Sequence, residues 1–505
     1  MKIAKKVLVF FLALAPFLMT SGGGRDVSSS RSTGPTGPSG AISFDQHVEI
    51  EYLGWSNNKL DGTDSVFKAL EQKFNMKLTY TSVPNNEYQN FSVMRIASGD
   101  IPVLFKTMVP NDDALAIYRG LQEDGVLVNV SSYMARHPLP NLEKIFEDAS
   151  VKLMRERDGF YMVPNYLGPS TTGLYVRQDW IDGLRLQLPR NMNEFKDFLR
   201  AIVRADPDGN RTTGLTVSGL GGVENLTPLF VGADGTWISY NGQWIHKAMH
   251  PNFRDAVRYY AELYSENLLD PEFAMLNINT IQEKISSGKA AALFLNGTAA
   301  WFNPMQNALS AYRPGSQLSV MVPWPQGPAG ALKPGGTPFF GAVHINAGAS
   351  EAQKLRALAF LDWQMTDECL DLYYYGIEGE HYRVVNGQRV INETAKQAIT
   401  FGRDLYLFYD IIYNVSQYNY LTIEPLIRNL EWTKQAFVPT AVIGLSNDTT
   451  IRLSPRLSDV YRIWVTDFIT GARNIDTGWN AFISEMRSAG MDEFQREVAA
   501  YMRDK

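Results

Sequence analysis

From about residue 46 onward the apolar positions of the chain switch repeatedly between two periods. In HVEIEYLGW (47–55) they alternate with polar ones, which predicts a strand, and the polar run SNNKLDGT follows as a loop. In DSVFKALEQKFN (64–75), Val66, Phe67, Leu70 and Phe74 recur at helical spacing, with Asp64 or Ser65 available as a cap. MKLTYTSV (76–83) predicts a second strand, EYQNFSVMRIASGD (87–100) a second helix stopped at Gly99-Asp100, and IPVLFKTMV (101–109) a third strand. This β-α-β-α-β order predicts a largely parallel sheet with helices on both faces. Such sheets bind ligands beyond the carboxyl ends of their strands, so the loops 55–61, 84–87 and 108–113 are candidate ligand loops.

A second α/β region begins near Leu174. LYVRQDWID runs from strand into helix, and NEFKDFLRAIVRAD is an amphipathic helix ending at the turn Asp206-Pro207-Asp208-Gly209-Asn210. Helical patterns at 253–269 and 281–288 precede AAALFLNG (290–297), a strand of the buried type. LSVMVPWPQGP is a strand that leaves through proline, and FFGAVHINAGA is another. EAQKLRALAFLDWQMTDECLDLYYYG (351–376) reads as one long helical stretch, and the last hundred residues are mostly helical.

Length and composition narrow the class. At roughly 150 residues per domain, 505 residues predict two large domains or three ordinary ones. One cysteine, Cys369, excludes an intrachain disulfide, a Cys-based zinc site and an iron–sulfur cluster. The six histidines form no H-E-x-x-H. A net charge of −6 argues against general nucleic-acid binding.

The N-terminus reads as an export leader. Lys2, Lys5 and Lys6 precede the short apolar run VLVFFLALA, too short to span a membrane. Leu18-Met19-Thr20-Ser21-Gly22-Gly23-Gly24 resembles a bacterial lipobox with Ser21 where the lipidated cysteine would stand. RDVSSSRSTGPTGPSG then reads as a flexible tether. The expected division is a signal peptide over 1–20 and a tether over 21–45. Loss of the three lysines takes the net charge to about −9. The expected location is the extracellular face of the cytoplasmic membrane or the medium, with Ser21 leaving no thiol for a lipid anchor.

Several segments together resemble one family. Ile96-Ala97-Ser98-Gly99-Asp100-Ile101-Pro102 is similar to its A-S-G-D-x-P-D signature. DWIDGLRLQLPRNMNEFKDFLRAIVRADPDGN is similar to D-W-L-D-x-L-G-L-x-x-P-x-T-x-x-E-F, and SGKAAALFLNGTAAW to G-x-x-A-M-x-x-N-G-x-W-x-W. With YYYGIEGEHYRVVNGQRVIN and the C-terminal helices, the order resembles the family 1 extracellular solute-binding proteins of bacterial ABC importers, in their long oligosaccharide-receptor, LipO-like branch. The resemblance covers nearly all of 46–505.

That resemblance implies a two-lobed periplasmic-binding-protein-like α/β fold, with discontinuous lobes joined by a hinge and a helical C-terminal layer. The expected lobes are 46–168 with 338–400, and 169–325 with the C-terminal helices of 401–505 packing mainly on it. The chain would cross near 166–172, near 323–338 and, for a third time, near 400. The implied function is non-catalytic: a monomer captures an oligosaccharide between its lobes and delivers it to the transmembrane subunits of a permease, without a required cofactor and without nucleic acid.

A sugar has apolar C–H faces rimmed by hydroxyls, so its site needs aromatic faces beside planar polar groups. Trp55 ends the first strand, with Asn57 behind it. Asn111 and Asp112 follow the third strand, and Asn165-Tyr166 precede the first crossing. Asn296 and Trp301 lie at the N-G-x-W-x-W match, where Ala299 replaces the first tryptophan, and Trp324 stands between prolines at a crossing. These are the expected ligand residues. Asp206, Asp208, Asn210 and the Thr212 carbonyl fit alternate oxygen positions of a calcium loop, and alginate-type receptors of the family carry such a loop here. In this chain Gly214 and Leu215 replace the two closing acids, so a weak structural calcium and a plain D-P-D-G turn both fit. G-x-S-x-G, P-loop and G-x-G-x-x-G signatures are absent. A secreted glycan-active hydrolase, or a receptor for a peptide or other non-sugar solute, stays open on the residues alone.

Overall fold

A computed structural model describes residues 40–55, 65–108, 120–152, 154–156, 158–165, 172–297, 299–336, 341–392, 423–440, 442, 445 and 447–503. Two sheets organise the chain. The first has the strand order β2-β1-β3-β12-β4, from β1 (Val48–Trp55), β2 (Met76–Val83), β3 (Leu104–Met108), β4 (Val163–Asn165) and β12 (Gly341–Ile345). The second has the order β10-β5-β9-β6, from β5 (Thr172–Arg177), β6 (Thr213–Thr216), β9 (Ala290–Asn296) and β10 (Leu318–Val320); outside both, β7 (Trp237–Tyr240) pairs with β8 (Gln243–His246), and β11 (Lys333–Gly336) with Phe437–Pro439.

The expected parallel pairing holds for β1 with β2 and β3, and for β6 with β9. It fails where β12 pairs antiparallel with β3 and β4, and where β5 pairs antiparallel with β9 and β10. β5 and β12 are the strands that follow a passage from one sheet to the other. They enter at the end where their neighbours finish, so they run the opposite way.

The alternation that predicts β1 is seen as burial. Val48, Ile50 and Tyr52 are buried, Glu49 is exposed and Glu51 half-buried, until the strand is enclosed on both faces from Leu53 to Trp55. On one face Tyr52, Leu78, Leu104 and Val343 pack with helices 65–74, 351–363 and 367–375. On the other, Leu53, Trp55, Tyr88, Phe105 and Ala342 form a smaller core. The second sheet is also covered twice. One core joins Leu174, Leu215 and Phe294 to helices 192–205 and 253–265 and to the C-terminal helices 448–470, 475–488 and 491–503. The other joins Tyr175, Leu293 and Leu295 to helices 278–286 and 299–312.

The stretch expected as one helix over 351–376 is two, Glu351–Trp363 and Asp367–Tyr375. Thr366 restarts the helix: its hydroxyl accepts the Cys369 amide N–H and donates to the Trp363 carbonyl. Cys369 is buried, and burial pushes its thiol pKa up, so the lone cysteine is an apolar core residue. Among the described residues no helix is long and apolar enough to cross a membrane.

Candidate ligand-binding site

The strand ends set where a site can lie. β4 finishes at Asn165, opposite Gly341 at the start of β12, and Gly341 also faces Met108 at the end of β3. In the second sheet β5 starts at Thr172, opposite Asn296 at the end of β9. Only residues 166–171 separate Asn165 from Thr172, so these two rims lie within about 25 Å by chain length alone.

On the first rim, Trp55 is buried to 5% exposure. Its ring meets Tyr88 edge-on at 5.2 Å, and Lys106 Nζ lies 5.0 Å from the ring centroid. Lys106 is itself buried in a strand, with Tyr52 and Tyr80 at 5.5 and 5.8 Å. An ammonium among three rings is attracted by their negative faces, an effect strengthened by loss of water. Tyr88 ties the layer together: its hydroxyl donates to the carbonyls of Leu53 and Lys106, and burial raises its pKa. Behind Phe105, the His344 imidazole contacts the Tyr161 carbonyl and the Thr107 hydroxyl, and burial lowers its pKa to about 4.

Asn165 stands apart chemically. It is fully buried, and among the described residues neither its amide nitrogen nor its amide oxygen has a hydrogen-bond partner. An unmet buried polar group costs about 1–3 kcal/mol, so a primary amide held this way at a strand end is tolerated where a partner arrives later.

On the second rim, Asn296 is exposed, and its backbone carbonyl accepts the Tyr175 hydroxyl at 2.6 Å. Trp301 opens helix 299–312 and is half-buried against the core of Tyr175, Phe302 and Leu318. Trp324 departs from the expected exposed platform. It is enclosed at 1% exposure, with Phe294 at 5.0 Å and Trp432 at 5.8 Å, because a helix 108 residues further on covers it. The candidate residues Asn57, Asn111, Asp112 and Tyr166 lie outside the described residues.

Sequence reasoning passed over Lys106 and Tyr88. A lysine inside the apolar run LFKTM was the available signal, since a charge is rarely buried mid-strand without purpose. Asp100, in the S-G-D turn, has a local role: it accepts from Arg95, which also bonds Glu51, and that contact holds its pKa below the usual carboxylate range.

The loop that fits calcium spacing closes helix 192–205. Asp206 caps it in the left-handed conformation, and its carboxylate accepts the amide N–H groups of Asn210, Arg211 and Thr212 and the Thr212 hydroxyl. These bonds, led by the Thr212 N–H, lower its pKa. Asp208 is paired with Arg177 and Arg313 and accepts the Trp180 N–H. The Asn210 amide nitrogen donates to Ser287 and Tyr312. Both Asp208 oxygens therefore face cations or donors of the protein, and a divalent ion beside two guanidiniums would be repelled. The residues present do not fit calcium. Among the described residues no group of three or more His, Cys, Asp or Glu side chains could hold a metal.

Two twice-covered sheets, between which the chain passes after Asn165 and again between β10 and β12, form the two lobes of a periplasmic-binding-protein-like fold. The chain belongs to the bacterial extracellular solute-binding protein family, whose sequence pattern matches residues 56–368. Lipoprotein LipO of Bacillus subtilis (strain 168) is 25% identical over 335 residues, 63% of this chain and 64% of LipO, so the match leaves about a third of LipO uncovered. The polygalacturonan/rhamnogalacturonan-binding protein YtcQ of the same strain is 22% identical over 384 residues, 74% of this chain and 73% of YtcQ. The crystal structure of the alginate-binding protein AlgQ2 without calcium ion shares the fold, with a TM-score of 0.65 at 16% identity, over 92% of this chain and 100% of AlgQ2.

Proposed function

We propose that this chain is the extracellular receptor of an ABC importer, and that it captures an oligosaccharide between its two rims and hands it to the permease. The observation that carries this reading is the Asn165 amide, buried with no partner among the described residues and opposite Gly341, the residue against which the Trp55 ring rests. A sugar hydroxyl both donates and accepts, so it answers both ends of a primary amide, while half-buried Trp301 offers a face for its C–H surface. In this reading Asn57, Asn111, Asp112 and Tyr166 add polar contacts and a ring, and Asn296 with Trp301 contributes from the second rim. The lobes are 46–168 with 338–400, and 169–325 with 401–505, and ligand favours the closed arrangement that the permease recognises. The leader carries the monomer out of the cell, and Ser21 leaves its retention to something other than a thioether lipid.

The named ligands of YtcQ and AlgQ2, galacturonan-type polymers and alginate, make uronate oligosaccharides the first class to try. Calorimetric titration with oligogalacturonides, alginate oligosaccharides and neutral fructo- and malto-oligosaccharides tests the proposal. Saturable binding of one class at micromolar strength, about −8 kcal/mol, with the sugar recovered intact, is expected. Turnover of the sugar, or no saturable binding across the panel, would overturn it.

A further inference from the structure

The fold relative crystallised without calcium, and the D-P-D-G-N-R-T spacing of this chain, raise the question of what holds loop 206–212 in place. The side chains answer it. Arg177 is fully buried and lies over Trp180, its guanidinium carbon 4.1 Å from the ring centroid. It reaches Asp208 with one nitrogen at 3.2 Å and grips Asp179 with two others at 2.8 and 2.6 Å. Arg313, from the turn after helix 299–312, reaches the second Asp208 oxygen from the solvent side and is half exposed. The Asp208 side chain is 1% exposed. A buried carboxylate needs a cation, and here two guanidiniums from sequence-distant segments supply it.

We propose that Arg313, with Arg177 beneath it, takes the place of a divalent ion in this loop, so that this receptor is built to be independent of calcium. Arg177 is part of the core and cannot leave. Arg313 is the replaceable cation: its removal leaves one Asp208 oxygen with the Trp180 N–H but no cation, beside a loop whose Asp206, Asn210 and Thr212 already stand at alternate positions. A receptor arranged this way keeps loop 206–212 in place where calcium is scarce.

The test uses the full exported chain and thermal unfolding in 5 mM EDTA, 5 mM calcium chloride or 5 mM magnesium chloride. The wild-type midpoint is expected to stay within about 1 °C across all three. Arg313→Ala is expected to unfold several degrees lower in EDTA and to regain part of that loss in calcium but not in magnesium. Arg313→Lys, which keeps the charge, is expected to remain insensitive to calcium. A wild-type midpoint that falls in EDTA and recovers in calcium would overturn the proposal, as would an Arg313→Ala protein that ignores calcium. Should Arg313→Ala be too unstable for unfolding scans, calorimetric titration of calcium into Arg313→Gln and wild type replaces them: binding by the variant alone supports the proposal, and binding by wild type or by neither overturns it.

Discussion

The indole of Trp55 rests against the backbone of Gly341, where an added methyl would come within 2.8 Å of the ring and closer still to the Thr107 carbonyl. The last residue of β1 and the first of β12 therefore fit together only because one of them lacks a side chain.

Gly341→Ala tests that fit. Neither obstacle is the loose end of a flexible side chain, so the strand or the indole must shift. The expected cost is about 1–3 kcal/mol of stability, read by urea denaturation, with a parallel loss of sugar affinity as the Trp55 ring moves. A variant as stable as wild type would mean that β12 can slide away from Thr107 freely.

Asn165→Leu separates a structural amide from a ligand amide. Leucine has a similar volume and removes two unmet polar atoms, so the ligand-free protein should be as stable as wild type or slightly more so. Affinity for the sugar identified by calorimetry should fall at least tenfold, about 1.4 kcal/mol. A drop in stability with unchanged affinity would assign the amide to the fold and remove it from the site.

Acid should weaken the protein before its carboxylates titrate. His246 is buried, and burial, then the nearby Lys247 charge, hold its pKa down at about 3; burial holds His344 at about 4. Both imidazoles stay neutral in the folded chain, while those of the unfolded chain take up protons below about pH 6.5. Their contribution is thus fully present above pH 6.5 and is lost as pH falls towards their folded values, about 2 kcal/mol for each at pH 5. Urea denaturation at pH 7.5 and pH 5.0 reads this directly. The paired carboxylates Glu51 and Asp100, whose pKa values are lowered by Arg95, give up their contribution only below about pH 4. A loss under 1 kcal/mol between the two pH values would show that both rings reach a proton in the folded state.

Local pattern carried much of the fold into view. The alternation in 47–55 and the 3.6-residue spacing in 64–75 are properties of neighbours in the chain, and both elements form where that spacing puts them. The split at Thr366 was also written locally, in a threonine that can cap a new helix, but a continuous apolar stripe on both sides hid it. The environment of single side chains was less legible. Trp324 between prolines looks like a surface platform until Trp432 is laid over it. Asp208 looks like a calcium ligand until Arg177, 31 residues before it, and Arg313, 105 residues after it, arrive.

What the sequence determined by itself, then, is periodicity: which segments are strands and helices, in what order, and hence two α/β layers with ligand loops at the strand ends. Periodicity depends on contacts a few residues apart and needs no knowledge of the partner. The tertiary structure alone decided strand direction after each crossing, the enclosure of Trp324, the isolation of the Asn165 amide and the cation that Asp208 faces. Each of these depends on groups that are distant in the chain and near in space, where burial removes water and leaves a polar atom with only the partners the fold delivers.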